Sequence, residues 1–347
     1  YYSYIRNYYR PSSLPLRGYK YLDAQSTPQA NYYNNNYFHW TLSNQLSFNR
    51  SFGDHTINAV AVYEAEKYTT QTAQIVSTGT IGDDKIRSTK GKTIDQDNTY
   101  NNKYAYTFAS WLLRAQYSYK GRYMASVSIR GDGSSRFESD HRWGFFPSAS
   151  AAWRISEESF FTPARDIVDN LKLRLSVGSL GNQQVSNYAY IEQISTDNQM
   201  NYTFDGQEKA FYANVTDPLS SGLTWETVTT YDVGLDIGLL NNRLNFTGDY
   251  YIRDTKDMLT SGVALPSVYG ADSPKMNSAD LRTKGYELSL SWRDEFQLLR
   301  RPFSYSVTLT FNDYVSNITK FDNPDRSFAK KYYEGMRWGE IWGYRIA

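Results

Sequence analysis

Apolar and polar residues alternate one by one over long stretches of this 347-residue chain. In RYMASVSIR, for example, Tyr123, Ala125, Val127 and Ile129 fall on one side of an extended chain. This period of two predicts β-strands that have one apolar and one polar face. Many runs last about 9–14 residues, longer than most globular strands and close to the length of a tilted strand that crosses a membrane.

Ten strands are predicted from this alternation. They lie near residues 39–52, 55–68, 104–119, 122–131, 145–156, 171–179, 225–238, 243–255, 283–294 and 303–316. One or two more are expected at the two ends of the chain, and the connection 179–224 has room for a hairpin of its own. The best helical candidate is EESFFTPARDIVDNL, where Ser156 is expected to cap a short turn.

The connections between these strands alternate in length. Short turns are predicted at 51–55, 120–122, 239–243 and 294–303, with an intermediate connection at 157–170 on the same side. Long polar connections are predicted at 69–103, 131–145, 179–224 and 256–283. A transmembrane β-barrel has this asymmetry, because its periplasmic turns are short and its extracellular loops are long. The sequence therefore predicts an all-β, antiparallel transmembrane barrel whose strands run alternately toward the periplasm and outward.

Composition narrows the function classes. The formal charge is +1, from 37 Lys and Arg against 36 Asp and Glu, which gives no support for a nucleic-acid partner. Cysteine is absent and the three histidines lie far apart, so no metal site and no cofactor is predicted. The mean hydropathy of −0.64 argues against a helical membrane protein. No nucleophile or paired carboxylates stand in a catalytic pattern, so no catalytic residue and no enzyme activity is expected.

Aromatic residues make up 16% of the chain. Composition alone leaves two classes open, an outer-membrane barrel with aromatic girdles and a soluble or surface-attached β-rich protein that binds carbohydrate. In a barrel, aromatics on strands are expected to face lipid or form the girdles. These are Trp40, Trp111, Tyr117, Tyr119, Tyr123 and Trp153. Aromatics in the long connections are expected to contact substrate. These are Tyr188, Tyr190, Tyr202, Phe211, Tyr212 and Tyr269.

The stretch RGDGSSRFESDHRWGFFPSASAAWR contains a tripeptide typical of adhesion ligands. A simpler interpretation is that Asp132 and Gly133 turn the chain where a strand meets a loop, with the glycine free to take a positive φ. A surface calcium site formed by Asp132, Glu138 and Asp140 stays open, although the spacing is not that of an EF-hand.

Several segments together resemble the SusC/RagA family of TonB-dependent outer-membrane transporters. The resemblance covers about residues 39–347. It rests on KGRY, RGDGSSRF, RWGFFPSASAAWR, SEESFF, LKLRLSVGSLGNQQV, LTWETVTTYDVGLDIGLLNNRLNFTGDYYIRDTKDML, LRTKGYELSLSW and YYEGMRWGEIWGYRIA, in this order.

The resemblance implies that residues 1–347 are a partial TonB-dependent receptor β-barrel domain, with about ten to twelve strands of a 22-stranded barrel. A plug domain and a signal sequence, which the family has, are not visible in the chain. The implied function is TonB-dependent import of oligosaccharides, less often peptides, across the outer membrane of a Gram-negative bacterium. The implied partners are outer-membrane lipid, a SusD-like surface lipoprotein, and TonB–ExbB–ExbD acting through the plug. A passive porin, which has no plug, is a further alternative.

Overall fold

The computed structural model describes most of the chain. The described residues are 2–9, 29–78, 93–96, 98–191, 194–199, 211–215, 219, 222–261, 268, 273–323, 325–326 and 332–341. Among them, no helix is both long and apolar enough to cross a membrane.

The described residues form fourteen strands. They are β1 (Tyr2–Tyr9), β2 (Gln29–Phe52), β3 (His55–Thr78), β4 (Thr93–Ile94), β5 (Tyr100–Tyr119), β6 (Tyr123–Ser134), β7 (Trp143–Arg154), β8 (Val168–Asn182), β9 (Ile194–Gln199), β10 (Phe211–Val215), β11 (Glu226–Leu239), β12 (Leu244–Ser261), β13 (Lys275–Leu298) and β14 (Arg301–Lys320). All ten strands predicted from the alternation are present, and most extend further toward the long connections.

The strands follow each other through one sheet in the order β1-β2-β3-β5-β6-β7-β8-β11-β12-β13-β14, with β4 paired to β3. Strands β9 and β10 form a separate antiparallel pair, which confirms the hairpin expected inside 179–224. Neighbours in the chain are therefore neighbours in the sheet, as in an up-and-down architecture. One end of the sheet carries the tight turns, here called the short-turn end, and the other carries the long connections, here called the long-loop end.

The chain divides into two compact units. The first contains residues 1–42, 65–108 and 193–216, and the second contains 43–64, 109–192 and 217–347. In the first unit Tyr68 and Tyr106 stack with ring centroids 5.4 Å apart. His39 Nε2 lies 3.2 Å from a carboxylate oxygen of Glu66.

In the second unit the two faces of the sheet differ in chemistry. One face, here called the apolar face, carries exposed Val127 on β6 and exposed Val307, Leu309 and Phe311 on β14. The opposite face, here called the polar face, is bonded across strands by hydroxyls, as between Ser128 and Ser148 at 2.6 Å. A water-soluble sheet buries its apolar face against another layer. Here large apolar side chains stay exposed on several strands, which indicates a surface made to contact another apolar phase.

Aromatic side chains gather on strands at the short-turn end. Tyr119 and Tyr123 stack with ring centroids 6.4 Å apart. The hydroxyl oxygen of Tyr117 lies 2.7 Å from His55 Nδ1. Glu158, in the connection after β7, accepts hydrogen bonds from the Tyr123 hydroxyl and from the Trp153 indole N–H. These two bonds, that from Tyr123 first, lower the pKa of Glu158 below its ordinary value.

Two local predictions are wrong. Asp132 and Gly133 do not form a turn: both belong to β6, paired with Gly144 and Trp143, and Gly133 has no positive φ. The strand continues because the small residues Gly131 and Gly133 leave space for the rings of Trp111 and Trp143. The connection 131–145 is therefore shorter, at 135–142. The segment after β7 forms 3-10 helices, Ile155–Glu157 and Ser159–Ala164, and Ser156 is buried inside the first instead of capping a helix.

Replacing Gly131 with valine is expected to push Trp111 out of its place on the apolar face. A Cβ at residue 131 would lie 2.5 Å from Trp111 Cε2, and the indole also packs 6.1 Å from the Phe145 ring. The measurement is the shift of the tryptophan emission maximum that Gly131→Val causes in the detergent-solubilised protein, with and without the Trp111→Phe substitution. Ala125→Val, at an exposed position on the same strand and the same face, is the control for the added bulk. An equal spectral change in the Trp111→Phe background would contradict the proposed displacement.

Candidate functional site at the long-loop end

The stretch that contains the RGD tripeptide is folded into the sheet. Asp132 is 7% exposed, and both of its carboxylate oxygens lie 2.8 Å from Arg130 Nε. An adhesion ligand must offer its aspartate to a partner, and this carboxylate is already occupied by its neighbour on the same strand face. Within the described residues, no three His, Asp or Glu side chains come together as metal ligands, and this includes Asp132, Glu138 and Asp140.

The connection 135–142 is anchored by a small aromatic core. Phe137 is fully buried, with its ring centroid 5.1 Å from that of Trp225. The ring centroid of Phe146 lies 5.5 Å from that of the same indole, and the two ring planes meet at 68°. Gly144 and Gly181 leave room for the Phe146 ring. The Trp225 indole N–H donates to the Arg142 carbonyl oxygen at 2.9 Å, which satisfies the polar edge of this buried ring.

Polar contacts tie the same connection to the segment after β8. Arg136 donates to the side-chain oxygen of Asn187 at 3.0 Å and to the Gln183 carbonyl at 3.5 Å. The Tyr190 hydroxyl donates to the Ser135 carbonyl at 3.4 Å. We infer that residues 135–142 and 183–191 form one ordered ledge, here called the loop ledge, instead of two independent flexible loops.

The predicted substrate-contact residues divide into three groups. Tyr188 and Tyr190 are half-buried on the loop ledge, and Tyr188 has a left-handed backbone with φ of 64°. Phe211 and Tyr212 begin β10, and their side chains lie outside the described part of the structure. Tyr202 and Tyr269 lie outside the described residues. The structure thus places Tyr188 and Tyr190 on the loop ledge, and substrate contact stays a prediction for all six.

The predicted lipid-facing aromatics lie on strands. Trp40, Tyr117, Tyr123 and Trp153 are exposed, with 37–45% of each residue accessible, and Trp111 and Tyr119 are half-exposed. Trp111 lies eight residues along β5 from the short-turn end, where Tyr117, Tyr119, Tyr123 and Trp153 are found. This gives the second unit aromatics at two levels of the apolar face, as two girdles require.

The polar face holds an ion network that the alternation alone did not reveal. Arg174 on β8 donates to both Asp236 oxygens, at 3.0 and 3.1 Å, and its Nη2 lies 2.8 Å from Asp249 on β12. One guanidinium thus links three consecutive strands of the sheet, because β11 lies between β8 and β12. Gly234 makes this possible, since a Cβ there would lie 2.6 Å from Arg174 Cζ.

Comparison with known proteins places this architecture in a family. The family described as TonB dependent receptor-like, beta-barrel matches residues 1–345. TonB-dependent receptor P3 of Formosa agariphila is 30% identical over 291 residues, which are 83% of this chain and 28% of that protein. TonB-dependent receptor SusC of Bacteroides thetaiotaomicron is 33% identical over 233 residues, 63% of this chain and 22% of that protein.

A solved structure shows the same fold. The structure of the RagAB peptide transporter matches 85% of this chain and 31% of its own chain, with a TM-score of 0.70 and 25% identity. The chain therefore spans less than a third of the length of each of these three proteins. SusC and RagA relatives are outer-membrane β-barrels of Gram-negative bacteria, and these homologues are receptors and transporters, not enzymes. With its sheet order, its two chemically distinct faces and this match over nearly its whole length, the chain belongs to the TonB-dependent receptor β-barrel family.

Proposed function

We propose that this chain forms wall and outward loops of a SusC-like importer in the outer membrane of a Gram-negative bacterium. The observation that supports it most strongly is the exposed apolar face of a sheet whose connections are short at one end and long at the other. In this orientation the short-turn end faces the periplasm and the loop ledge faces outward. Such a face needs lipid as its neighbour, which disfavours the soluble carbohydrate-binding alternative.

The proposed substrate is an oligosaccharide too large for a porin, brought in with energy from TonB–ExbB–ExbD through a plug domain. A SusD-like surface lipoprotein is the proposed partner at the long-loop end. No residue of this chain is assigned a step that makes or breaks a covalent bond. A peptide is the second candidate substrate, because the RagAB relative is described as a peptide transporter.

The test is uptake by cells that carry the complete receptor at its own locus. Labelled oligosaccharides and labelled oligopeptides of matched mass are supplied to cells with and without TonB. The proposal expects uptake of the oligosaccharide that disappears when TonB or the receptor gene is deleted. Uptake of the peptide alone would favour the second candidate, and uptake that persists without TonB would indicate a passive porin. Extraction of the receptor from membranes without detergent would contradict the membrane location.

Replacing Tyr188 with alanine is expected to weaken uptake by raising the half-saturating substrate concentration about threefold to tenfold. Loss of one aromatic contact accounts for this range, at about 0.5–1.5 kcal/mol. The maximal uptake rate should stay unchanged, because the variant removes a binding contact and leaves the wall intact. Tyr63→Ala, on the apolar face of β3, is the matched control and should leave the curve unchanged. An unchanged half-saturation for Tyr188→Ala would remove Tyr188 from the substrate contacts.

A further inference from the structure

Three cationic side chains occupy positions of the apolar face near the long-loop end. On β12 and β13 the register pairs Tyr250 with Tyr286, Ile252 with Lys284, and Asp254 with Arg282. Alternate residues of a strand point to the same face of the sheet, and register partners share a face. All six side chains therefore lie on the same face. Lys256, two residues beyond Asp254, shares that parity, and its charge acts on Asp254 together with those of Arg282 and Lys284. We call Lys256, Arg282 and Lys284 the cation cluster.

Two of the three cations in this cluster have no ion-pair partner among the described residues. Arg282 is paired with Asp254 through two hydrogen bonds, 2.6 and 2.8 Å long. Lys256 and Lys284 are exposed, and neither forms an ion pair within the described part of the chain. The nearby Asp280 carboxylate is engaged by the backbone N–H of Asp257 at 3.0 Å. Asp280 keeps its charge, and Asp313, the register partner of Tyr286, lies on the same face, so the acids offset most of the net charge but leave the two ammonium groups without an ion-pair partner in that part of the chain.

Position along the strand explains how these charges are tolerated on an apolar face. Lysine or arginine facing the middle of a bilayer costs about 2–4 kcal/mol, and close to nothing at the interface. Asp254 lies ten residues along β12 from Leu244, the residue at the short-turn end. At about 3.3 Å per residue and a tilt of about 40°, this is a height of about 25 Å, equal to the apolar band of a membrane barrel. The cation cluster therefore stands at the outer edge of that band, at headgroup level.

An apolar groove lies directly below the cluster. It has a volume of about 480 Å³ and is open along one side. Its apolar lining comes from β6, β7, β8, β11 and β12, and small Ala149 and Ala151 make its floor between larger neighbours. Ile252 lines the groove and is the register partner of Lys284, so the groove and the cluster are continuous. A flat wall of uniformly large side chains would have no such depression.

We propose that this surface binds one phosphorylated, acylated lipid of the outer leaflet. Its phosphate lies among Lys256, Lys284 and Arg282, and one acyl chain lies in the groove. The two lysine ammonium groups attract the phosphate as point charges. The Arg282 guanidinium is held in place by its two hydrogen bonds to Asp254. The groove supplies van der Waals contact to the chain, which is already out of water in the bilayer and therefore gains packing only. The proposal rests on the membrane location in the proposed function.

The test is lipid binding by the complete receptor in detergent, measured by native mass spectrometry. The probes are a phosphorylated hexa-acyl lipid A and the same lipid without its phosphates. We expect the phosphorylated lipid to bind at least about thirtyfold more tightly. Lys256→Gln with Lys284→Gln should remove most of that preference, a loss of about thirtyfold if each lysine contributes about 1 kcal/mol. Inorganic phosphate at millimolar concentration should not compete, because it has no acyl chain.

The matched control is Arg253→Gln with Arg293→Gln. It makes the same change of charge on the same two strands, at exposed positions of the polar face, and should keep the preference. Ala149→Phe, which fills the groove, should weaken both lipids equally. Equal binding of the two lipids to the wild type, or equal losses in both double variants, would overturn the proposal. The wild-type receptor could need detergent and import substrate, yet bind the two lipids equally. That result would reject the lipid site only, and the proposed function would stand.

Discussion

Replacing Phe137 with alanine is expected to release the loop ledge from the sheet. The Phe137 ring is fully buried against Trp225, and truncation of a buried phenylalanine costs about 3–5 kcal/mol. The loss should act locally, because this core holds a connection and not the strands. Trypsin cleavage after Arg136 or Arg142 follows the population of the open state, so its rate should rise about 10²–10⁴-fold. The measurement is cleavage of the intact receptor, with hydrogen exchange of amides 134–142 as a second readout.

Phe160→Ala is the control for this experiment. Phe160 is 64% exposed in the connection after β7, and its removal should leave cleavage of the ledge unchanged. Phe137→Leu should give a smaller increase than alanine, because leucine keeps part of the apolar volume. A cleavage rate for Phe137→Ala equal to wild type would show that the aromatic core does not hold the ledge.

Replacing Arg174 with methionine is expected to lower the stability of the sheet by about 2–3 kcal/mol. The change leaves Asp236 and Asp249 close together without the guanidinium that joins them. Removing one partner from a fully buried pair costs about 3–5 kcal/mol, and we expect less here because these side chains are 21–29% exposed. The midpoint of urea unfolding of the receptor in detergent, followed by heat-modifiable gel migration, measures the loss.

Arg174→Lys keeps the charge but loses the two-pronged geometry, so it should recover only part of the stability. Arg293→Met removes an exposed arginine from the polar face and serves as the control. If Arg174→Met and Arg293→Met unfold at the same urea concentration, the network contributes nothing beyond an exposed surface charge.

The strands were predictable because the alternation of apolar and polar residues within one strand is enough to identify its two faces. Val127 and Ile129 alternate with Ser126 and Ser128, and no knowledge of other strands is needed to place them. Local turn chemistry was less informative. Asp132 and Gly133 have the composition of a turn, yet the strand continues through them because their neighbours on β7 complete the ladder.

The loop ledge was not predictable for a different reason. Phe137 lies in a polar stretch, RFESDH, and its burial depends on Trp225, which is distant in sequence. The cation cluster is an intermediate case. The alternation in YYIRDTK predicts that Asp254 and Lys256 share a face with Ile252. That these residues lie close to Arg282 and Lys284 follows only from the register between β12 and β13.

The length of β13 has a consequence for the electrostatics of the loops that it supports. The strand continues seven residues beyond Arg282 to Lys275, which is about 18 Å of additional height at a tilt of about 40°. Charge on a bilayer surface is screened within about 8 Å at physiological ionic strength. The ends of these strands thus stand more than two screening lengths above the headgroups. Capture of substrate there should be insensitive to the charge of the surrounding lipids, even while the wall below holds one of them.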